Sequence, residues 1–491
     1  VSSELNRRDL IKGISSLALA AAVPVTAQAL AGMNTDANNG TTALPLARPK
    51  VSERRFTSQG VEELVKTMRS RIADPNLATI FENCFPNTLD TTVTPGSFEG
   101  QPDTYVVTGD IDAMWLRDSS AQVWPYLPLC KDDAKLRTLL AGVIRRQARM
   151  ILIDPYANAF TRDPNDPPLS WAVADKTTHR PGVGERKWEV DSLCYTVRLA
   201  HGYWQATGDT SVFDSQWKES AHTIVRTFRE QQRKSGPGPY SFQRQAFVPT
   251  DTLALKGFGS PGRSVGLIYS MFRPSDDACT FPLFIPANLF AVVTLRRLAE
   301  LADRVLGDPQ LANDCHAFAQ EVDAALAQYG TVNDRRFGEI WAYEVDGYGN
   351  ALKMDDANAP GLLSLAYLGC CTIDDPRYLR SRSFALSDAN PYFYRGTAAE
   401  GIGGPHEGPE YVWPMSILMR AFTSTSDSEI RQCLRWLRDT TAGTGFMHES
   451  FQCNNAADFT RPWFAWANTL FGELIVKLAA DRPSLIQSRL D

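Results

Sequence analysis

The chain runs to 491 residues with 43% hydrophobic and 22% charged positions, enough for one large catalytic domain with its own core. Its formal net charge is -6 and it contains no run of Lys and Arg, so neither a nucleic-acid partner nor a polyanionic substrate finds support. Aromatic residues make up 10%, Trp alone 11 positions, an abundance that suits a site where flat rings cover the C–H faces of a sugar.

At the amino end, Asn6-Arg7-Arg8-Asp9-Leu10-Ile11-Lys12 precede an apolar stretch from Ile14 to Val25, and Ala27-Gln28-Ala29 follow. A basic region, a short apolar region and a small-residue cleavage site are the parts of an export signal. The adjacent arginines resemble a twin-arginine signal, read by the machinery that exports folded proteins from a bacterial cytoplasm; an ordinary secretion signal is the alternative. Residues 1–29 are therefore expected to be a signal peptide, and the mature protein to be periplasmic or secreted. The apolar stretch is shorter than the roughly 20 residues that cross a bilayer, and no other candidate span follows. Residues 30–49, rich in Asn, Thr, Ala and Gly without period, read as a flexible leader, and 50–491 as one domain.

Helical periodicity dominates that domain. Val61, Leu64, Val65, Met68 and Ile72 share one helix face, as do Leu193, Val197, Ala200 and Trp204. Ala221, Val225 and Phe228 repeat the spacing, followed by Ala291, Leu295, Leu298, Ala302 and Val305. Near the end come Ile430, Leu434 and Leu437, then Ala467, Phe471, Leu474 and Leu478. Strand alternation is scarce; Tyr105-Val106-Val107 and Ile340–Val345 are the best short candidates. A helical solenoid should show a fixed repeat, and none is found. The loops are chemically richer than the helices, which favours a closed ring of helical hairpins with its loops at one mouth. The expected fold is all-α, an (α/α)6 toroid with short β elements in loops.

The first of those loops holds Asp110, Asp112, Trp115, Arg117 and Asp118. So many charges are costly to bury unless paired. Asp118 is placed to cap a following helix, while Trp115 beside Arg117 suits a grip on a pyranose, ring below and donors at the side. Trp188-Glu189-Val190-Asp191-Ser192 opens a helix, where acids serve either the helix dipole or a ligand. Arg273-Pro274-Ser275-Asp276-Asp277 also resembles a helix start; neighbouring like charges raise a carboxylic pKa, as a general acid requires, and Arg273 stands near to stabilise whichever Asp stays ionised. Gly403–Glu410 is a glycine-rich loop containing His406 and Glu407, and His448-Glu449 precedes Arg461 and Trp463. The His-Glu pairs lack HExxH spacing, so hydrogen-bonded loop anchors are expected rather than a metal site. The nine cysteines are scattered, without a C-x-x-C pair, and read as small buried hydrophobes. No phosphate-binding loop, GxSxG elbow or Cys-His nucleophile signature occurs, which leaves carboxylates with aromatics, the apparatus of glycosyl chemistry.

Together, GDIDAMWLRDSSAQVWPYL, WEVDSLCY, FRPSDDACTFPLFIPANLFA, YEVDGYGNALKMDDANAPGLLSLAYL, GPHEGPEYVWPMS and TGFMHESFQCNNAADFTRPWFAWANTLFGEL resemble glycoside hydrolase family 125, the exo-α-1,6-mannosidases. The resemblance implies an (α/α)6 barrel, removal of non-reducing terminal mannose from an α-mannoside oligosaccharide or N-glycan fragment, inversion at the anomeric carbon, and no metal or other cofactor. It also implies an aspartate general acid in the RPSDD segment, Asp276 with Asp277 as the close alternative, and a glutamate general base in the MHES segment, Glu449. Asp112, Trp115, Arg117, Asp118, Asp277, His406, Glu407, Arg461 and Trp463 are the candidates for holding the sugar. Another α-glycosidase or a phosphorylase on the same fold, or a non-catalytic sugar-binding protein, are the competing readings.

Overall fold

Seven helices begin on a short polar side chain that accepts a hydrogen bond from their own first turn, and they include the outer layer of a double ring. The computed structural model describes residues 43–490, so the expected signal peptide and residues 30–42 of the leader lie outside it. Ser58 caps α1 (Gln59–Arg71), Asp74 caps α2 (Pro75–Cys84) and Asp133 caps α4 (Ala134–Ile153), which follows α3 (Leu116–Val123). Asp214 caps α6 (Ser215–Glu230), Asp308 caps α8 (Pro309–Tyr329), Asp375 caps α10 (Pro376–Ala385) and Ser426 caps α12 (Asp427–Asp439). Such caps satisfy first-turn amides that have no acceptor within the helix.

The inner helices are built differently. They are α3, α5 (Val190–Thr207), α7 (Ile285–Arg304), the short α9 (Leu365–Leu368), α11 (Pro414–Phe422) and α13 (Ala465–Asp481). Their N-cap residues are Trp115, Glu189, Phe284, Ser364, Trp413 and Phe464, and none makes a side-chain cap. α3 packs against α5, α5 against α7, α7 against α9, α11 against α13, and α13 back against α3. The fold is the expected (α/α)6 ring. The N-terminal ends of α3, α11 and α13 meet at its mouth, where the helix dipole favours negative charge.

The core lies between the two layers. Leu295, Leu298 and Ala302 of α7 are fully buried, as are Leu193, Val197 and Ala200 of α5, matching the expected faces. Each Leu removed from water there is worth about 1.5–3 kcal/mol. Gly142 in α4 is a close-approach residue, because a Cβ there would strike Thr104 of the hairpin β1 (Val93–Phe98)–β2 (Gln101–Val106). All nine cysteines are free thiols, seven of them buried.

Short strands aim the loops. β3 (Met114–Trp115) pairs with β4 (Ala159–Phe160), which pairs with β5 (Val183–Glu185). β6 (Leu283–Phe284) leads into α7 and pairs with Glu344–Val345. The expected strand Ile340–Val345 is divided at Ala342-Tyr343, its first half pairing instead with Thr331–Asp334. Residues 44–48, expected within a flexible leader, are fastened to the domain: Leu44 N donates to Asn76, Ala47 N to Asn83, and Arg48 pairs with Glu62 and Asp90. No helix among the described residues is long and apolar enough to cross a membrane.

Candidate active site

The three inner helices that meet at the mouth bring their first turns into one crater. α3 supplies Trp115, Arg117 and Asp118; α11 supplies Trp413; α13 supplies Phe464 and Trp466. Asp276, His406, Glu449 and Arg461 complete its wall from the loops between helices. Seven expected residues thus come together from four segments distant in sequence.

The remaining expectations fall elsewhere. Asp112 is exposed and pairs with Arg162 at 3.3 Å, because the turn closed by Thr108 and Ile111 carries it outward. Trp463 braces that same turn, standing 3.8 Å from where a Cβ of Gly109 would be, and does not line the crater. Asp277 is buried behind its neighbour, accepting from Ser275 Oγ at 3.1 Å. Glu407 stands behind Glu449, to which it is hydrogen bonded. Asp118 does not cap α3, since Trp115 occupies the N-cap position and Asp118 the first turn.

The acid segment is a tight turn rather than a helix start. Phe272 and Ala278 bridge its ends, Arg273 N donates to the Asp277 carbonyl at 2.8 Å, and Asp276 N donates to the Arg273 carbonyl at 2.9 Å. Asp276 sits at φ 66°, a left-handed conformation that costs a non-glycine residue about 1 kcal/mol or more. The turn is held from outside by Lys187, whose Nζ donates to the Asp276 carbonyl at 2.8 Å and to Asp251 at 2.7 Å. Arg273 does not serve the aspartates as expected; its Nε is committed to Glu344 at 2.6 Å. Burial pushes the Asp276 carboxyl up, but Lys187, Arg117, a hydrogen bond from Glu189 and the charge of His406 together hold it below its ordinary value.

Glu189 and Asp191, read as serving either the helix dipole or a ligand, are not among the residues that line the crater; they reach it through Arg117. Arg117 Nη1 lies 2.5 Å from Glu189 and 3.4 Å from Asp191, while Arg117 Nε lies 3.5 Å from Asp118. One guanidinium therefore holds three buried carboxyl groups. Burial raises Asp118 and Asp191 to about 6 and Glu189 well above its ordinary range, against the pull of Arg117. Asn358 and Trp413 also line the crater without having been singled out as sugar-holding groups. Trp413 Nε1 is buried with no hydrogen-bond partner among the described residues.

On the other wall, Glu449 Oε2 accepts from Thr460 Oγ1 at 3.2 Å and forms an ion pair with Arg461 Nε at 3.2 Å. Arg461 continues to Asp110 at 3.1 Å. His448 is a loop anchor, as expected of that pair: it bonds the Arg461 carbonyl at 2.9 Å and stacks on Phe459 at 4.0 Å. His406 departs from that expectation. Despite opposing desolvation, the carboxyls of Asp277, Glu407, Glu449 and Asp276 raise it to about 9, so it is a cation at neutral pH. The glycine-rich loop that carries it is tightly seated, because a Cβ on Gly403 would collide with the Tyr411 carbonyl. Among the described residues, no cluster of three or more His, Cys, Asp or Glu is arranged to hold a metal ion.

Glu407 gives a pH test of this wall. Burial, then the charge of Glu449, raise it to about 7 from 4.5. The folded chain thus keeps a proton that the unfolded chain releases, so stability falls as pH rises through that window. Glu407→Gln has no such proton to lose. Its melting temperature relative to wild type should rise on going from about pH 5 to about pH 8. A difference independent of pH would contradict the assignment.

Carboxyl groups set among tryptophans at the mouth of an (α/α)6 ring are the apparatus of a glycoside hydrolase. Residues 74–476 match the family described as metal-independent α-mannosidases, GH125. The chain is 43% identical over 465 residues to the meiotically up-regulated gene 157 protein of Schizosaccharomyces pombe, covering 91% of each. It is also similar to a solved metal-independent α-mannosidase of Streptococcus pneumoniae in a non-productive complex with α-1,6-mannobiose. That likeness has a TM-score of 0.83 and 39% identity over 87% of this chain and 100% of the other. The chain belongs to glycoside hydrolase family 125.

Proposed function

We propose that the protein is an inverting exo-α-mannosidase that removes non-reducing terminal α-1,6-linked mannose from an oligosaccharide or N-glycan fragment. Asp276 is the general acid and Glu449 the general base. The observation that carries this reading is that Asp276 and Glu449 line one crater while Asp277 is not among its lining residues. The binding of α-1,6-mannobiose by the pneumococcal relative supports the linkage.

Expulsion of a primary alkoxide requires protonation of the glycosidic oxygen, which falls to Asp276. Glu449, fixed through Oε2 by Thr460 and Arg461, takes a proton from the water that attacks C1. Inversion calls for roughly 6.5–9.5 Å between the two carboxyls, so that the water fits beside the sugar. Trp115, Trp413 and Trp466 supply apolar faces for the ring, and Arg117, Asp118 and His406 supply polar partners for its hydroxyls. The Arg7-Arg8 leader supports action in the periplasm or outside the cell, after twin-arginine export.

A panel of α-1,2-, α-1,3- and α-1,6-mannobiose, with a longer α-1,6 oligomer, tests the specificity. The expected result is hydrolysis of the 1,6 linkage with free mannose as the first product from the oligomer. Preference for another linkage, or release of internal fragments, would contradict the proposal.

A further inference from the structure

A proton donor must begin its cycle protonated, yet Asp276 is surrounded by groups that favour its anion. The ammonium of Lys187 touches its carbonyl, the Arg117 guanidinium and the imidazolium of His406 act on it across the crater, and Asn158 Nδ2 stands 3.4 Å from Oδ1. The missing proton has a place to reside. Glu189, at the N-cap of α5, is fully buried and joined to Asp276 by a hydrogen bond between the two carboxyls. Its Oε2 is taken by Arg117 Nη1 at 2.5 Å and by Ser192 Oγ at 2.7 Å. Its Oε1 is buried and receives no N–H or O–H donor among the described residues. Two carboxylates have only acceptors, so a bond between them requires one shared proton. The charged neighbours of the pair are Arg117 and Asp118 from α3, Asp191 from α5, and Lys187 and His406 from the loops.

We propose that Glu189 is the proton reservoir of this active site, holding the proton at Oε1 and relaying it through Asp276 to the glycosidic oxygen. The inference rests on the assignment of Asp276 as the acid. Glu189 touches no substrate atom; it is a positioning residue that acts through its neighbour. As the C1–O bond breaks, its electron pair goes to the leaving oxygen, which takes a proton from Asp276, and Asp276 takes one from Glu189. The attacking water bonds to C1 and gives its proton to Glu449. After product leaves, Glu449 releases that proton to solvent and the Glu189–Asp276 pair regains one, so the cycle balances as hydrolysis. Held this way, the anion of Asp276 is kept in place without losing its supply of acid, and the pair titrates as a unit.

The test compares Glu189→Gln, Glu189→Asp and Asp276→Asn on α-1,6-mannobiose and on 2,4-dinitrophenyl α-mannoside, whose leaving group needs no proton. Gln retains a hydrogen bond to Asp276 but carries no acidic proton. It should lower kcat on the disaccharide by about 10² or more with KM little changed, and spare the aryl substrate. Asp keeps the proton but withdraws it by one methylene, so it should show the same substrate-selective loss to a smaller degree; it carries the test if the Gln chain does not fold. Equal losses on both substrates, or no loss on the disaccharide, would overturn the reservoir while a selective loss in Asp276→Asn leaves the acid standing. Absence of selectivity in Asp276→Asn would overturn both.

Discussion

Asp276→Asn is expected to reduce kcat on α-1,6-mannobiose by about 10²–10⁴ and to leave turnover of dinitrophenyl α-mannoside nearly intact. The asymmetry follows from what the residue does. A sugar alkoxide departs only when protonated, whereas dinitrophenolate departs unaided. Because the variant is nearly isosteric, the turn around it should survive: Lys187 holds the backbone carbonyl, and the Phe272–Ala278 bridge holds the ends. Steady-state kinetics on the two substrates decide it, and equal losses on both would remove Asp276 from the acid role.

Glu449→Gln is expected to have the opposite signature, losing about 10²–10⁴ on both substrates. Activation of water is needed whatever the leaving group. The amide oxygen still accepts from Thr460, so binding should persist while chemistry fails. Unchanged KM with kcat lowered on both substrates is the expected pattern. Retention of dinitrophenyl mannoside turnover would show that another group activates the water.

The outer layer of the ring was legible because its residues obey local rules. α1, α6 and α12 bury one face and expose the other, and their apolar spacing shows it. α2, α8 and α10 carried an equally local signal, an Asp-Pro pair at the cap, that periodicity does not register. Among the inner helices α5, α7 and α13 also showed their apolar spacing, whereas α3 resists such reading. All eight residues of α3 are buried, polar ones included, so Arg117, Asp118 and Gln122 occupy positions that an amphipathic pattern would assign to solvent.

The same distinction governs the site. Asp276 and Glu449 stood out through the sequence segments around them, and Trp115, Arg117, Asp118, His406 and Arg461 through dense clustering. Asp112 lies in the same cluster but faces out, because a single turn reverses its direction. Trp413 was visible only as a Trp-Pro helix start, and Asn358 as one polar residue of a loop. The role expected of Arg273 falls to Lys187, since the partners that decide the matter lie 71 and 64 residues away, at Glu344 and Asp251. Pairings across such separations are set by the fold, and no local pattern encodes them.

Proton NMR of α-1,6-mannobiose hydrolysis, recorded before mutarotation proceeds, tests the central claim most directly. If a water held by Glu449 attacks the face of C1 away from Asp276, the mannose released from the non-reducing end must appear first as the β anomer. Its first appearance as the α anomer would mean retention, and the pairing of these two carboxyls as acid and base would be wrong.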